Sequence, residues 1–202
     1  MRKFLKITAL VLLLLAMAGG GFAYWQALKD NVNPKLKDGF ALYIPKGSTF
    51  EDVIRSLEEQ QVLQSIGSFK MISGIRKYDK LVKPGRYEIR RGLNNWKLVE
   101  KLRAGAQDQM KLRIGSHRTI MEVAGEIAHQ VDLDSASLLG KMRDKTFLEE
   151  YGVEPKTIRN LLIPNTYFVY WTLSEGDLFT KLRNNYDQFW TADRKAKAEA
   201  QG

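Results

Sequence analysis

The sequence predicts an α+β protein in which an apolar N-terminal helix precedes short strands and amphipathic helices, the helices packing on one face of small sheets. Three observations carry that prediction. A run without charge extends from Ile7 to Leu28. Three β-favouring segments then end in isoleucine (Ile44, Ile89, Ile114), each followed by glycine and polar residues. After each comes a helix opened by a large apolar residue (Phe50, Trp96, Ile120), with valine three positions on (Val53, Val99, Val123). Identity among the three copies is low, so they read as a recurring strand–turn–helix construction.

Ile7 to Trp25 is almost wholly apolar. A helix rises about 1.5 Å per residue, so roughly 20 residues cross a ~30 Å hydrocarbon core. Arg2, Lys3 and Lys6 precede the run and keep the N-terminus cytoplasmic by the positive-inside rule, while Tyr24 and Trp25 suit the far headgroup layer. Residues 1–28 thus read as a cytoplasmic N-terminus and a single-pass anchor in the inner membrane, spanning about 7–25, with the body outside. A cleaved signal peptide is the competing reading. Its apolar core is Leu10–Leu15, and Ala16-Met17-Ala18 has the small-x-small form of a cleavage site. The apolar run continues through Phe22, Ala23, Tyr24 and Trp25, which favours the anchor. Both readings export the body.

Residues 29–39, polar and holding Pro34 and Gly39, read as a linker. Phe40–Ile44 is a strand, and Pro45-Lys46-Gly47 a turn. Ser48 with Glu51 forms a capping box for a helix carrying Phe50, Val53, Ile54 and Leu57 on one face. A second helix covers Ile66–Ile75. Lys83-Pro84-Gly85 turns into a strand over Arg86–Ile89. Asn94 or Asn95 caps a helix with Trp96, Val99 and Leu102, ended by Gly105. Met110–Ile114 alternates cationic and apolar residues as a half-buried strand does. A helix with Ile120, Val123, Ile127 and Val131 follows. Ser135 and Ser137 precede a short helix through Met142, and Thr146–Tyr151 is helical. Leu178–Trp190 is amphipathic through Leu178, Leu182, Tyr186 and Phe189. The tail after Thr191 is rich in alanine and charge.

Hydrophobic residues make up 44% and charged residues 27%, which argues for a folded body rather than disorder. The net charge of +9 stays positive when the first thirty residues are set aside. An anionic partner and a merely soluble basic surface both fit this. Nucleic acid is excluded as a partner, because the basic residues are scattered and form no binding module. There are no cysteines, so disulfides, thiolate metal sites and a cysteine nucleophile are excluded. His117 and His129 lack metal-ligand spacing and read as structural or exposed. Glu122, Glu126, Glu154 and Glu175 are candidates for general-acid work, which needs a carboxyl of raised pKa in a cleft. Spacing does not choose among them, and each also reads as a surface glutamate.

The densest functional signal is the run Leu161 to Trp171, in which Pro164 stops regular structure and Asn165 and Thr166 stand among aromatics. Such a run suits carbohydrate, with rings stacking on sugar faces and amide and hydroxyl groups binding sugar hydroxyls. A core strand preceded by a turn fits equally well.

In order along the chain, the N-terminal anchor, Ile44-Pro45-Lys46-Gly47-Ser48, Lys83-Pro84-Gly85-Arg86-Tyr87, Leu102-Arg103-Ala104-Gly105 and Ile163-Pro164-Asn165-Thr166-Tyr167 resemble the MltG (YceG-like) family of endolytic murein transglycosylases. The resemblance runs from about residue 1 to the C-terminus. It implies a LysM-like peptidoglycan-binding subdomain at 40–114 and the N-terminal part of a catalytic domain at 115–202. It also implies lytic cleavage between N-acetylmuramic acid and N-acetylglucosamine in nascent glycan strands. One glutamic acid protonates the glycosidic oxygen, and the muramyl 6-hydroxyl attacks to give a 1,6-anhydro end. No metal or cofactor is expected. The implied partners are peptidoglycan glycan strands, the inner-membrane lipid bilayer and peptidoglycan synthases. The family's glutamate is expected beyond Gly202, so no catalytic residue is carried over. Where the family often has Glu-Gly before the proline and aspartate after it, this chain has Arg159, Asn160 and Asn165. The candidate substrate-binding residues are Pro164, Asn165, Thr166, Tyr167, Tyr170 and Arg118. The alternative function is a non-catalytic, membrane-anchored peptidoglycan-binding or scaffold protein.

Overall fold

Arg2–Leu28 forms one helix, α1, in a computed structural model that describes residues 2–200, the side chains of residues 2–6, 9, 16 and 23 excepted. The basic residues expected as cytoplasmic markers, and Ala16 of the cleavage pattern, lie outside the described side chains. Along Leu10–Leu28 the helix is long and apolar enough to cross a membrane. Every large apolar side chain from Leu10 to Leu15 is exposed. Consecutive exposed leucines cover all sides of a helix, and that surface calls for lipid unless the segment is removed.

The chain divides into two units, residues 1–107 and 108–202. In the first, β1 (Phe40–Ile44) and β2 (Gly85–Ile89) pair antiparallel, with Phe40 opposite Ile89 and Ile44 opposite Gly85. Between them run α2 (Phe50–Glu59) and α3 (Ile66–Ile75), and α4 (Asn95–Ala104) follows β2. Strand alternation turns Leu42, Ile44, Tyr87 and Ile89 inward, onto Val53, Ile54 and Leu57 of α2 and Leu98, Val99 and Leu102 of α4. The capping box expected at Ser48 and Glu51 sits one residue later. Thr49 Oγ1 accepts from the Asp52 N–H, and Asp52 Oδ2 accepts from the Thr49 N–H. Ser48 is already engaged: its hydroxyl donates to the Pro45 carbonyl at 2.8 Å and closes the preceding turn. Within 29–39, read as a linker, Asn31 and Val32 are buried in this unit, and Val32 bridges to Leu63.

In the second unit β3 (Met110–Ile114) pairs antiparallel with β4 (Asn165–Val169), Met110 opposite Val169. Met110–Ile114, placed by the sequence at the end of the first subdomain, therefore belongs here, because its strand partner does. Between the strands lie α5 (Ile120–Gln130), α6 (Ser135–Lys141), α7 (Lys145–Glu149) and a single 3-10 turn at Ile158–Asn160. After β4 come α8 (Glu175–Phe189) and α9 (Ala192–Glu199). Ser135 and Ser137 lie inside α6 instead of before it, since Asp134 Oδ1 takes the Ser137 N–H at 2.7 Å and is the cap. The core joins Leu112, Ile114, Tyr167 and Val169 of the strands to Val123, Ile127, Leu178 and Leu182 of the helices.

The recurring construction is real and has a fourth copy. Each strand is followed, after the same short turn, by a helix capped by the side chain of Thr49, Asn94, Thr119 or Ser174. One turn into each helix a buried aliphatic residue closes the core: Val53, Leu98, Val123 and Leu178; in α4 this is Leu98 rather than the expected Val99, because the helix opens at Asn95 and not at Trp96.

Candidate functional site

Beyond β3 the chain crosses residues 115–118 to reach Thr119, the cap of α5. A Cβ at position 115 would meet His117 Nε2 at 3.4 Å and Glu126 Oε1 at 3.5 Å, so glycine there leaves room for those two groups to close. Glu126, from α5, uses Oε2 twice: it accepts the Gly115 N–H at 2.8 Å and meets His117 Nε2 at 2.8 Å. Burial pushes the Glu126 carboxyl up, but the hydrogen bonds from Gly115 and His117 outweigh it and hold its pKa below the ordinary carboxylate value. Arg159, on the 3-10 turn, donates from Nη2 to the His117 carbonyl at 3.1 Å. These contacts frame a cleft of about 170 Å³ lined by Gly115, Ser116, His117, Ile120, Arg159 and Pro164, among others. Polar groups on several sides and apolar patches at Ile120 and Pro164 suit one face of an oxygen-rich ring.

The six expected binding residues do not converge. Pro164 lines the cleft. Arg118 is exposed on the loop beside it, and its backbone N–H goes to Glu122 Oε2 at 2.9 Å. Asn165 and Thr166 are exposed at the start of β4, with Asn165 Nδ2 donating to Asn185 Oδ1 at 2.9 Å. Tyr167 points the other way, into the core. It is 5% exposed, its hydroxyl donates to the Ile163 carbonyl at 2.8 Å, and burial raises its pKa to about 12. Tyr170 is exposed past the far end of β4. A strand rises about 3.3 Å per residue, so Tyr170 stands roughly 20 Å from Pro164. His117 and Arg159 were not among the expected binding residues. They meet only through the fold, and the sequence marks neither beyond Arg159 standing where the family often has glutamate.

The four candidate glutamates are also placed. Glu122 Oε2 accepts the N–H groups of Arg118 and Thr119, completing the α5 capping box. Glu126 is the acceptor just described. Glu175 Oε1 accepts the Ser137 hydroxyl at 2.9 Å. Glu154 is exposed. Three carboxylates are thus engaged as acceptors and the fourth faces solvent. In the first unit a larger, open cleft of about 390 Å³ lies beside Tyr43, Pro45, Ser48, Asp52 and Arg55.

Residues 42–202 match the YceG-like family. A solved yceG-like protein from Listeria monocytogenes is similar over 80% of this chain, at 24% identity and a TM-score of 0.43. The chain spans 59% of that protein's length. No curated protein matches significantly. With the match running from β1 through both units, the chain belongs to the YceG-like family.

Proposed function

We propose that this protein is an exported, membrane-anchored component of endolytic peptidoglycan lytic transglycosylation, acting on nascent glycan strands between N-acetylmuramic acid and N-acetylglucosamine. Family membership across residues 42–202 carries this reading. The reaction leaves 1,6-anhydro ends and terminates strand elongation. Its general acid is a protonated glutamic acid, a role that Glu122, Glu126 and Glu175 as engaged acceptors, and Glu154 in solvent, do not suit. The residues described here therefore bind and orient the glycan: Pro164 with Ser116, His117 and Arg159 in the second unit, and Arg118, Asn165 and Thr166 around them. The strand–helix–helix–strand order of β1, α2, α3 and β2, with its outer strands paired, supports a LysM-like glycan-binding role for the first unit. The exposed apolar surface of Leu10–Leu15 supports an anchor in the inner membrane.

The engagement of the glutamates also favours a second reading, a non-catalytic peptidoglycan-binding or scaffold protein that docks on glycan or on the synthases. One experiment separates the two. The protein, purified in detergent from its native membrane, is mixed with purified sacculi and sedimented, and the glycan is analysed for 1,6-anhydro ends. Co-sedimentation with new anhydro ends supports the enzyme, and co-sedimentation without them supports the scaffold. Protein left in the supernatant sinks both.

A further inference from the structure

The last turn of α1 is built into the first unit by buried amides. Asn31, 5% exposed, donates from Nδ2 to the Ser65 carbonyl at 2.8 Å and to Asn95 Oδ1 at 2.7 Å, while its Oδ1 accepts the Ser65 N–H at 2.9 Å. Asn95, 1% exposed, donates to the Gln26 carbonyl of α1 at 3.1 Å and to Ser68 Oγ at 2.9 Å. Both side chains thereby use every donor they own. Ala27 and Val32 add apolar burial on either side. The anchor therefore continues into the unit without a flexible tether.

Beside this network lies a polar cleft of about 190 Å³, lined in part by Gln26, Lys29, Asp30, Gln64 and Ser65. Its position follows from the span. The 19 residues from Ile7 to Trp25 rise ~28 Å, against a ~30 Å hydrocarbon core, so residues 26–31 fall in the headgroup layer. Lys29 Nζ rests 4.9 Å over the Trp25 ring, one turn nearer the membrane. Ser65 Oγ accepts from the Ser68 N–H at 3.3 Å and keeps its own proton for a ligand. Gln64 Nε2 closes one wall by donating to the Val32 carbonyl at 3.1 Å.

We propose that this cleft binds the phosphoethanolamine headgroup of a membrane phospholipid. The proposal rests on α1 spanning the bilayer. Lys29 and the Ser65 hydroxyl meet the phosphate, and the Asp30 carboxylate meets the headgroup ammonium. Asp30 decides the class: it repels a simple phosphate, while a choline headgroup offers it no N–H and a glycerol headgroup offers it no charge. The anchor holds the cleft among headgroups at high effective concentration, which selects the lipid over the free compound.

The test uses the full chain reconstituted in phosphatidylcholine vesicles that contain equal minor fractions of phosphatidylethanolamine and phosphatidylglycerol. Mild extraction followed by native mass spectrometry then reads the retained lipid. The expected result is one phosphatidylethanolamine retained about tenfold over the others, with the preference lost in Lys29→Ala/Asp30→Ala. Both positions are exposed, so the variant folds. Equal retention of the three lipids, or undiminished preference in the double variant, overturns the headgroup site if the protein still resists carbonate extraction. Release by carbonate overturns the span and the site together. Equal occupancy by free phosphoethanolamine, in detergent without lipid, overturns the lipid as the ligand.

Discussion

Glu126 Oε2 holds two contacts at 2.8 Å, and its depressed pKa fixes the sign of their pH dependence. A carboxyl whose folded pKa lies below its ordinary 4.5 contributes stability that is complete above that value. The contribution is lost as the pH falls through the lowered folded pKa. Glu126→Gln keeps the shape and one acceptor oxygen but removes the charge. It should cost about 1 kcal/mol near neutral pH, given the partial exposure of the pair. As the pH falls through that lowered folded pKa, its stability curve should converge on that of the parent. Urea denaturation from about pH 3 to 7 reads this, and a penalty that is the same at both ends refutes the charge argument. Tyr167 makes a different prediction. Its hydroxyl, with a pKa near 12, stays protonated and donates to Ile163 while Asn185 Nδ2 donates to it at 3.3 Å. Tyr167→Phe should cost about 1 kcal/mol in thermal melts and leave sacculus binding per folded molecule unchanged. Reduced binding with unchanged stability would instead place the hydroxyl in contact with glycan.

At the scale of elements, the capped strand–turn–helix unit governs where structure starts and stops. Ser174 Oγ accepts the Asp177 N–H while Asp177 Oδ2 accepts the Ser174 N–H, which satisfies two donors at the start of α8. Ser174→Ala should cost about 1 kcal/mol by losing this cap. Chemical denaturation checks it, and a Ser174→Thr control should retain most of the stability. Gly105 ends α4 at φ 72°, in the left-handed region, and a Cβ there would lie 2.7 Å from Lys83 Cδ. Gly105→Ala should therefore destabilise the first unit by about 1 kcal/mol, mainly through backbone strain, since the lysine end can move. Such features were legible in the sequence because caps and periodicity act over a few residues. Ile66–Ile75 and Met110–Ile114 are found where the spacing places them. Pairing was not legible. Nothing local to Met110–Ile114 says that its partner is Asn165–Val169 rather than an earlier strand, and the subdomain boundary shifts with that choice. Asn31 reads as linker for the same reason, since Ser65 and Asn95, which bury it, are distant in sequence. In the candidate site Pro164 was readable because it interrupts regular structure. The His117–Glu126 pair and the Arg159 contact were not, because each joins residues brought together only by folding.

At the scale of the whole molecule, each unit has a closed core, so a cavity in one is read in that unit's amides. Leu57→Ala in the first unit should cost about 2–5 kcal/mol, seen as faster hydrogen exchange across residues 40–105. The α1 helix poses a sharper question. Its last turn is docked by Asn95 whether or not a signal peptidase cuts after Ala18, so docking does not decide between anchor and signal. The exposed apolar run, with Leu10, Leu12, Leu13 and Leu15 all in the open, is long and apolar enough to cross a membrane, as both readings require. An arginine at the centre of a span costs about 2.5–3.5 kcal/mol on insertion scales. Leu13→Arg should thus shift protein out of the carbonate-resistant membrane fraction, and the parent's membrane-fraction protein should retain peptides N-terminal to Ala18 by mass spectrometry. A mature chain beginning at Gly19 would show that the leucines serve export alone, and the body would then reach the wall without an anchor.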